Sequence, residues 1–159
     1  MPSDSLRPRR SGCPVATCLD IFGDRWSLLI VRDLMFSGLR TFREFSAAGE
    51  GIATNILADR LRRLEAEGII RHATSTDDAR QVVYGLTGKG LDLAPVLVEM
   101  VLWAARHERT DAPPPVVREM RTRKQRFIAR VRAGATLRAS SPKPRPRASR
   151  RRAPTPSSP

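Results

Sequence analysis

Between Cys13 and His107 the apolar positions repeat mostly at helical spacing, and two short segments alternate instead. Val15–Phe22 reads as a first helix ended by Gly23. Asp24 is placed to cap a second helix, Arg25–Phe36, whose Trp26, Leu29, Ile30 and Leu34 recur at helical spacing. Ser37 and Gly38 end it. TFRE, residues 41–44, has the form of a capping box in which the Thr41 hydroxyl accepts from the Glu44 amide and Glu44 reaches back. Phe42 and Phe45 on that short helix are expected to face inward. Gly49 and Gly51 turn the chain into a fourth helix over residues 53–66. After Gly68 the period changes. Ile69–Thr74 and Gln81–Leu86 flank the polar turn STDDAR, which predicts an antiparallel hairpin. Thr87 then caps a long helix, Gly88–Arg106.

This order of helices, tight turn, helix and hairpin is that of a winged helix-turn-helix. The predicted fold class is mainly α with a small β-hairpin wing. On a wheel of ~100° per residue, Leu57, Leu61 and Leu64 share one side of the fourth helix. Asn55, Asp59 and Arg62 share the other, with Ala58 and Arg63 on its flanks. The leucines face a core whatever the function. The polar side has two readings: a solvated surface with Asp59 pairing a neighbouring arginine, or a face that meets DNA. The element order favours DNA, because the second helix of the motif is the one that enters the major groove. Asn55 suits adenine, and Arg62 suits guanine or a phosphate. Asp59 would accept from cytosine or orient Arg62. Thr54 lies near the helix start, where free amides suit a phosphate. Arg80 at the hairpin tip is either a wing residue or an ordinary loop arginine. Asp77 and Asp78 beside it argue against deep insertion.

The helix after Thr87 is apolar over nearly its whole circumference, from Leu91 to Ala105. Such a helix is buried on more than one side. A second subunit is the economical cover, and packing against the chain's own residues 116–133 is the alternative. Pro95 predicts a kink or a broken start.

Charge sharpens the domain boundaries. The net charge of +13 is not spread evenly: residues 1–12 hold +2, residues 13–111 hold −2 and residues 112–159 hold +13. The expected organisation is an arm over 1–12, a DNA-binding and dimerisation domain over 13–110, a proline linker with a basic helical extension over 111–137, and a basic tail over 138–159. APPP at 112–115 is read as a semi-rigid spacer, and the Pro-, Ser- and Arg-rich tail as disordered. The chain contains two cysteines, Cys13 and Cys18, too few for a four-cysteine zinc site, and Cys18 is read as a core residue. His72 and His107 lack a partner pattern, and no phosphate loop or nucleophile elbow is present. An enzyme is therefore not expected, nor a cofactor or metal. No apolar run approaches a membrane span of ~20 residues, so a cytoplasmic protein, nucleoid-associated when bound to DNA, is expected.

Four segments carry a resemblance: CPVATCLDIFGDRWSLLIVRDL (13–34), RTFREF (40–45), GIATNILADRLRRLEAEGII (51–70) and YGLTGKG (84–90). As an ordered set they resemble the HxlR-type winged helix-turn-helix regulators, relatives of the MarR type. The resemblance implies a dimeric, DNA-binding regulator joined through its N- and C-terminal helices. The DNA-contacting candidates are then Thr41, Ala53, Thr54, Asn55, Ala58, Asp59, Arg62, Arg63 and Arg80. The dimer candidates are Leu97, Val98, Val101, Leu102 and Trp103. Cys13 stands where some members carry an oxidant-sensing cysteine, although its residue context fits an inert thiol as well. The expected function is a sequence-specific transcriptional regulator, a repressor rather than an activator. Its expected partners are double-stranded DNA, a second copy, and a small-molecule or oxidant effector. The alternative is a non-specific nucleic-acid-binding or architectural protein acting through PKPRPRASRRR, residues 142–152.

Overall fold

The computed structural model describes residues 11–75 and 80–138. Most of the N-terminal arm, the Asp77–Asp78 turn and the basic tail beyond 138 lie outside the described residues. Helix α1 spans Pro14–Phe22. Asp24 then caps as its position predicts: Oδ1 accepts from the amides of Trp26 and Ser27 at 2.8 and 3.0 Å, and Oδ2 accepts from the buried Ser27 hydroxyl. Helix α2, Ser27–Arg32, is shorter than the sequence suggests because it widens into a π-helical turn, Asp33–Ser37. Gly38 closes that turn with φ 66°, a left-handed conformation that suits glycine. Its successor Leu39 donates its amide to the Asp33 carbonyl at 3.1 Å.

Helix α3, Phe42–Ser46, opens on the predicted capping box, both halves of which are formed. Helix α4, Thr54–Ala66, buries Leu57, Leu61 and Leu64. Strands β1, Ile70–Thr74, and β2, Val82–Leu86, pair antiparallel from Ile70 opposite Leu86 to Thr74 opposite Val82. The Tyr84 amide also donates to the Arg40 carbonyl at 2.7 Å, which ties the hairpin to the entrance of α3.

The predicted single helix over Gly88–Arg106 is two helices. Helix α5, Gly88–Leu91, is capped by Thr87, and α6, Ala94–His107, starts afresh with Pro95 in its first turn. Proline fits there because a first-turn N–H has no intrahelical acceptor.

The C-terminal extension departs most from expectation. Pro114 and Pro115 do not form a spacer; they occupy the first turn of α7, Pro114–Thr122. Helix α8, Lys124–Arg138, follows at once. Together the two helices place Met120, Phe127, Ile128 and Ala135 in the same buried cluster as Leu34, Met35, Leu97 and Val98. The Phe127 ring lies 6.3 Å from that of Phe36. The own-chain alternative for covering α6 is thus realised on one of its sides.

Candidate nucleic-acid interface

Helix α4 sorts its residues by face as the leucine period requires. Leu57 and Leu64 are fully covered, while Thr54, Asn55, Asp59 and Arg62 are exposed and Ala58 is half-buried. Ala53 is the exposed residue that precedes the helix, in extended conformation. Arg62 reaches furthest, its side chain 77% accessible, and its guanidinium stands 3.5 Å from Asp59. Asp59 also lies 3.3 Å from Arg60. The carboxylate therefore sits between Arg62 on this face and Arg60 at its edge, and an exposed pair such as Asp59–Arg62 adds under ~1 kcal/mol to stability.

Arg60 and Arg63 turn away from that face. Arg63 donates to the Asp20 carbonyl at the end of α1. Arg60 meets the Asp24 carboxylate at 3.2 Å. Arg63, a DNA-contact candidate from its wheel position, is half-buried and bridges α4 to α1. Arg60 was not singled out by the sequence, since its partner lies on another element and no local pattern marks the pair. Burial pushes the Asp24 carboxyl up, but the Ser27 hydroxyl, the Trp26 and Ser27 amides and Arg60 outweigh it, so its pKa is lowered.

Helix α3 precedes α4 as the first helix of the motif. The Thr41 side chain is held in the capping box, accepting from the Glu44 amide at 3.2 Å. The Arg40 and Thr41 amides both donate to Glu44 Oε2, at 2.8 and 3.1 Å. On the other side of α4, His72 of β1 contacts Glu65, which fixes the hairpin against α4. Arg80 is exposed at the start of the returning strand. Thr54, Asn55, Asp59 and Arg62 thus form one surface on α4, whereas Thr41 and Arg80 belong to the flanking elements.

The dimer candidates divide. Leu97 and Val98 are buried in the chain's own core, packed beneath the extension, so neither offers a surface to a second subunit. Val101 and Leu102 are half-buried. Trp103 is 62% exposed and continues a row with Val96 and Met100, which are 42% and 49% exposed. The sequence did not single out that row, because α6 is apolar on every side. Helix α1 buries none of its residues; Val15 and Leu19 are 66% and 62% exposed. Cys18 is exposed beside them rather than in the core. An apolar neighbour in sequence says nothing about whether another element covers it. Cys13 is exposed as well.

Residues 21–112 match the family described as HxlR-like helix-turn-helix. The HTH-type transcriptional regulator YvaP of Bacillus subtilis is 37% identical over 93 residues, which are 58% of this chain and 85% of that protein. The solved structure of PA1607 superposes with a TM-score of 0.59 at 40% identity, covering 66% of this chain and 72% of that one. The redox regulator HypR in its oxidized form superposes with a TM-score of 0.55 at 30% identity, covering 62% of this chain and 100% of that one. Helices α7 and α8 lie beyond the family match.

Proposed function

The chain belongs to the HxlR-like helix-turn-helix family, and from that premise we propose that it is a homodimeric repressor that reads the major groove with α4. That it is a DNA-binding transcriptional regulator follows from the family and its relatives, which are regulators rather than enzymes. One observation carries the finer reading. The second helix of the motif presents Thr54, Asn55, Asp59 and Arg62 on a single exposed face, over leucines locked in the core. Asn55 and Arg62 are the base-reading pair, and Asp59 aims Arg62. Ala53 and Ala58 allow close approach, while Thr41 and Arg80 flank the groove from α3 and the wing. Repression needs no further part, since a bound dimer blocks a promoter by occupancy. The protein then acts in the cytoplasm, at the nucleoid when bound.

The exposed rows on α1 and α6 support a second copy as the partner. Exposed apolar surface of this kind on two helices is a mark of association. The test is selection of bound duplexes from a random library, followed by footprinting. The expected result is a two-fold symmetric site with half-site centres about one helical turn, ~10 bp, apart. Asn55→Ala and Arg62→Ala should each relax preference at one base pair per half-site. An unstructured selection, or unchanged preference in both variants, sinks the reading. Repression itself is checked with a reporter placed behind the selected site, where added protein must lower transcription.

An oxidant effector at Cys13 is a second reading, favoured by the exposure of that thiol and by the likeness to a redox regulator. Diamide treatment should change DNA binding of the wild type and leave Cys13→Ser unaffected. Equal responses remove it.

A further inference from the structure

Residues 114–138, the two helices beyond the family match, hold eight basic side chains against one carboxylate, Glu119. Three of the eight have carboxylate partners: Lys124 pairs with Glu99, Arg132 with Asp92, and Arg130 with Glu119. Arg118, Arg121, Arg123 and Arg126 are exposed and form no ion pair with a carboxylate among the described residues. They gather at the corner between α7 and α8. Arg118 and Arg121 stand one turn apart near the end of α7, Arg123 joins the two helices, and Arg126 lies in the first turn of α8. Glu119 stands among them. It accepts from Arg130 at 2.8 Å, and the charges of Arg130, Arg123 and Arg126 join that hydrogen bond in lowering its pKa against its desolvation. Met120, Phe127 and Ile128 are buried beneath, so the corner is fixed to the core rather than free to swing. Like charges one helical turn apart repel, and one carboxylate cannot neutralise five guanidinium groups. The corner is also a surface apart from the helix-turn-helix face: α4 packs on α2, α3 and β1, whereas α8 packs on the π-helical turn, α6, α7 and β2.

We propose that the α7–α8 corner is a second DNA-binding surface, which grips the phosphate backbone and reads no bases. The inference goes beyond the α4 reading and does not depend on it. Arg123, Arg126 and Arg130 span about 10 Å along the axis of α8. Over that length each strand of a duplex offers a phosphate every ~3.4 Å, so each guanidinium has a phosphate of its own to meet. Arginine suits the task, because its planar fork of donors matches phosphate oxygens. The Arg130 guanidinium is held in place from two sides, by Glu119 and by the Phe127 ring, 5.1 Å away. Nucleic acid is favoured over an acidic protein because the family is one of DNA-binding regulators, and phosphate is the anion such a chain meets at high local concentration.

The experiment measures anisotropy of the full chain on a duplex of unselected sequence across a salt series. In one variant Arg118, Arg121, Arg123 and Arg126 are all changed to Gln, which leaves the Arg130–Glu119 pair in place. Its salt slope should become shallower by about 0.9 for each phosphate no longer neutralised, and by at most about 3.6 in all. The matching variant with Lys at the four positions keeps the charge and should keep the wild-type slope. An unchanged slope in the Gln variant, or an equal loss in the Lys variant, overturns the proposal. A second measurement leaves the four arginines intact. A photo-crosslinker is attached through Thr122→Cys, at an exposed position between Arg121 and Arg123, in a full chain that also carries Cys13→Ser and Cys18→Ser. It should form a DNA adduct that rising salt suppresses, and absence of an adduct overturns the proposal. On a duplex selected by the protein itself, the Gln variant should keep the wild-type base preference. A changed preference would show that the corner reads bases, against the proposal, and would leave the α4 reading to its own test.

Discussion

Arg62 and Arg63 are adjacent in sequence, yet the structure gives them opposite surroundings. Arg62 stands in solvent beside Asp59, whereas Arg63 crosses to the α1 carbonyl of Asp20. Arg62→Ala should leave the melting temperature nearly unchanged, within about 0.5 kcal/mol, and cost about 1–3 kcal/mol in discrimination at one base pair. Arg63→Ala should instead lower stability by about 1 kcal/mol, because a partly buried carbonyl loses its donor. Thermal melts and anisotropy on both variants separate the two; equal melting temperatures would contradict the bridge. The leucine period made Arg62 legible as an outward residue. It could not show that Arg63 has a partner, because Asp20 lies on another helix. Asp24 and Asp33 differ in the same way. Ser27, two amides and Arg60 lower the Asp24 pKa against its burial. Its stabilising contribution is thus present above the ordinary carboxylate range and is lost as pH falls through the depressed folded value. Burial raises the Asp33 pKa, more than Arg32 lowers it, so ionisation of Asp33 costs stability as pH rises through the carboxylate range. Asp24→Asn should lower stability at neutral pH and flatten the acid limb of a stability curve measured by denaturant unfolding. A parallel, undiminished acid limb would remove Asp24 as its source.

At the scale of elements, legibility follows the range of the interactions. The capping box at 41–44 has all its groups within four residues, and it forms as read. Thr41→Ala should cost about 1 kcal/mol, measured by chemical denaturation. The break before Pro95 is equally local. The extension is not. Residues 112–133 look like a spacer and a loosely patterned basic helix, because their apolar positions are few and scattered. Their partners, Phe36 among them, lie far back in the chain, and only the fold makes Phe127 and Ile128 part of the core. Phe127→Ala should therefore destabilise the whole domain by about 3–5 kcal/mol in one cooperative transition. A separate early transition, with the rest of the domain unaffected, would show the extension to be an independent unit.

The whole molecule must reconcile an α6 that is apolar all round with a chain that covers only part of it. The extension takes the side that carries Leu97 and Val98. What remains is the row of Val96, Met100 and Trp103, at helical spacing. Val15 and Leu19 leave a comparable row on α1. The two rows identify which substitutions separate assembly from folding. Trp103→Glu changes a side chain that is 62% exposed in the single chain, so the fold should survive while self-association is lost. Leu97→Glu places a charge in the core, where ionised groups are not tolerated unpaired, and should unfold the chain. Under the homodimer proposal, sedimentation should give a dimer for the wild type and a folded monomer for the Trp103 variant, with circular dichroism unchanged. DNA binding supplies the sharper readout. A monomer keeps one α4 and one half-site, so it should retain base preference while losing affinity for the two-fold site. If the Trp103 variant still sediments as a dimer, the row on α6 is not the interface. A folded, dimeric Leu97 variant would refute the placement of α6 beneath the extension.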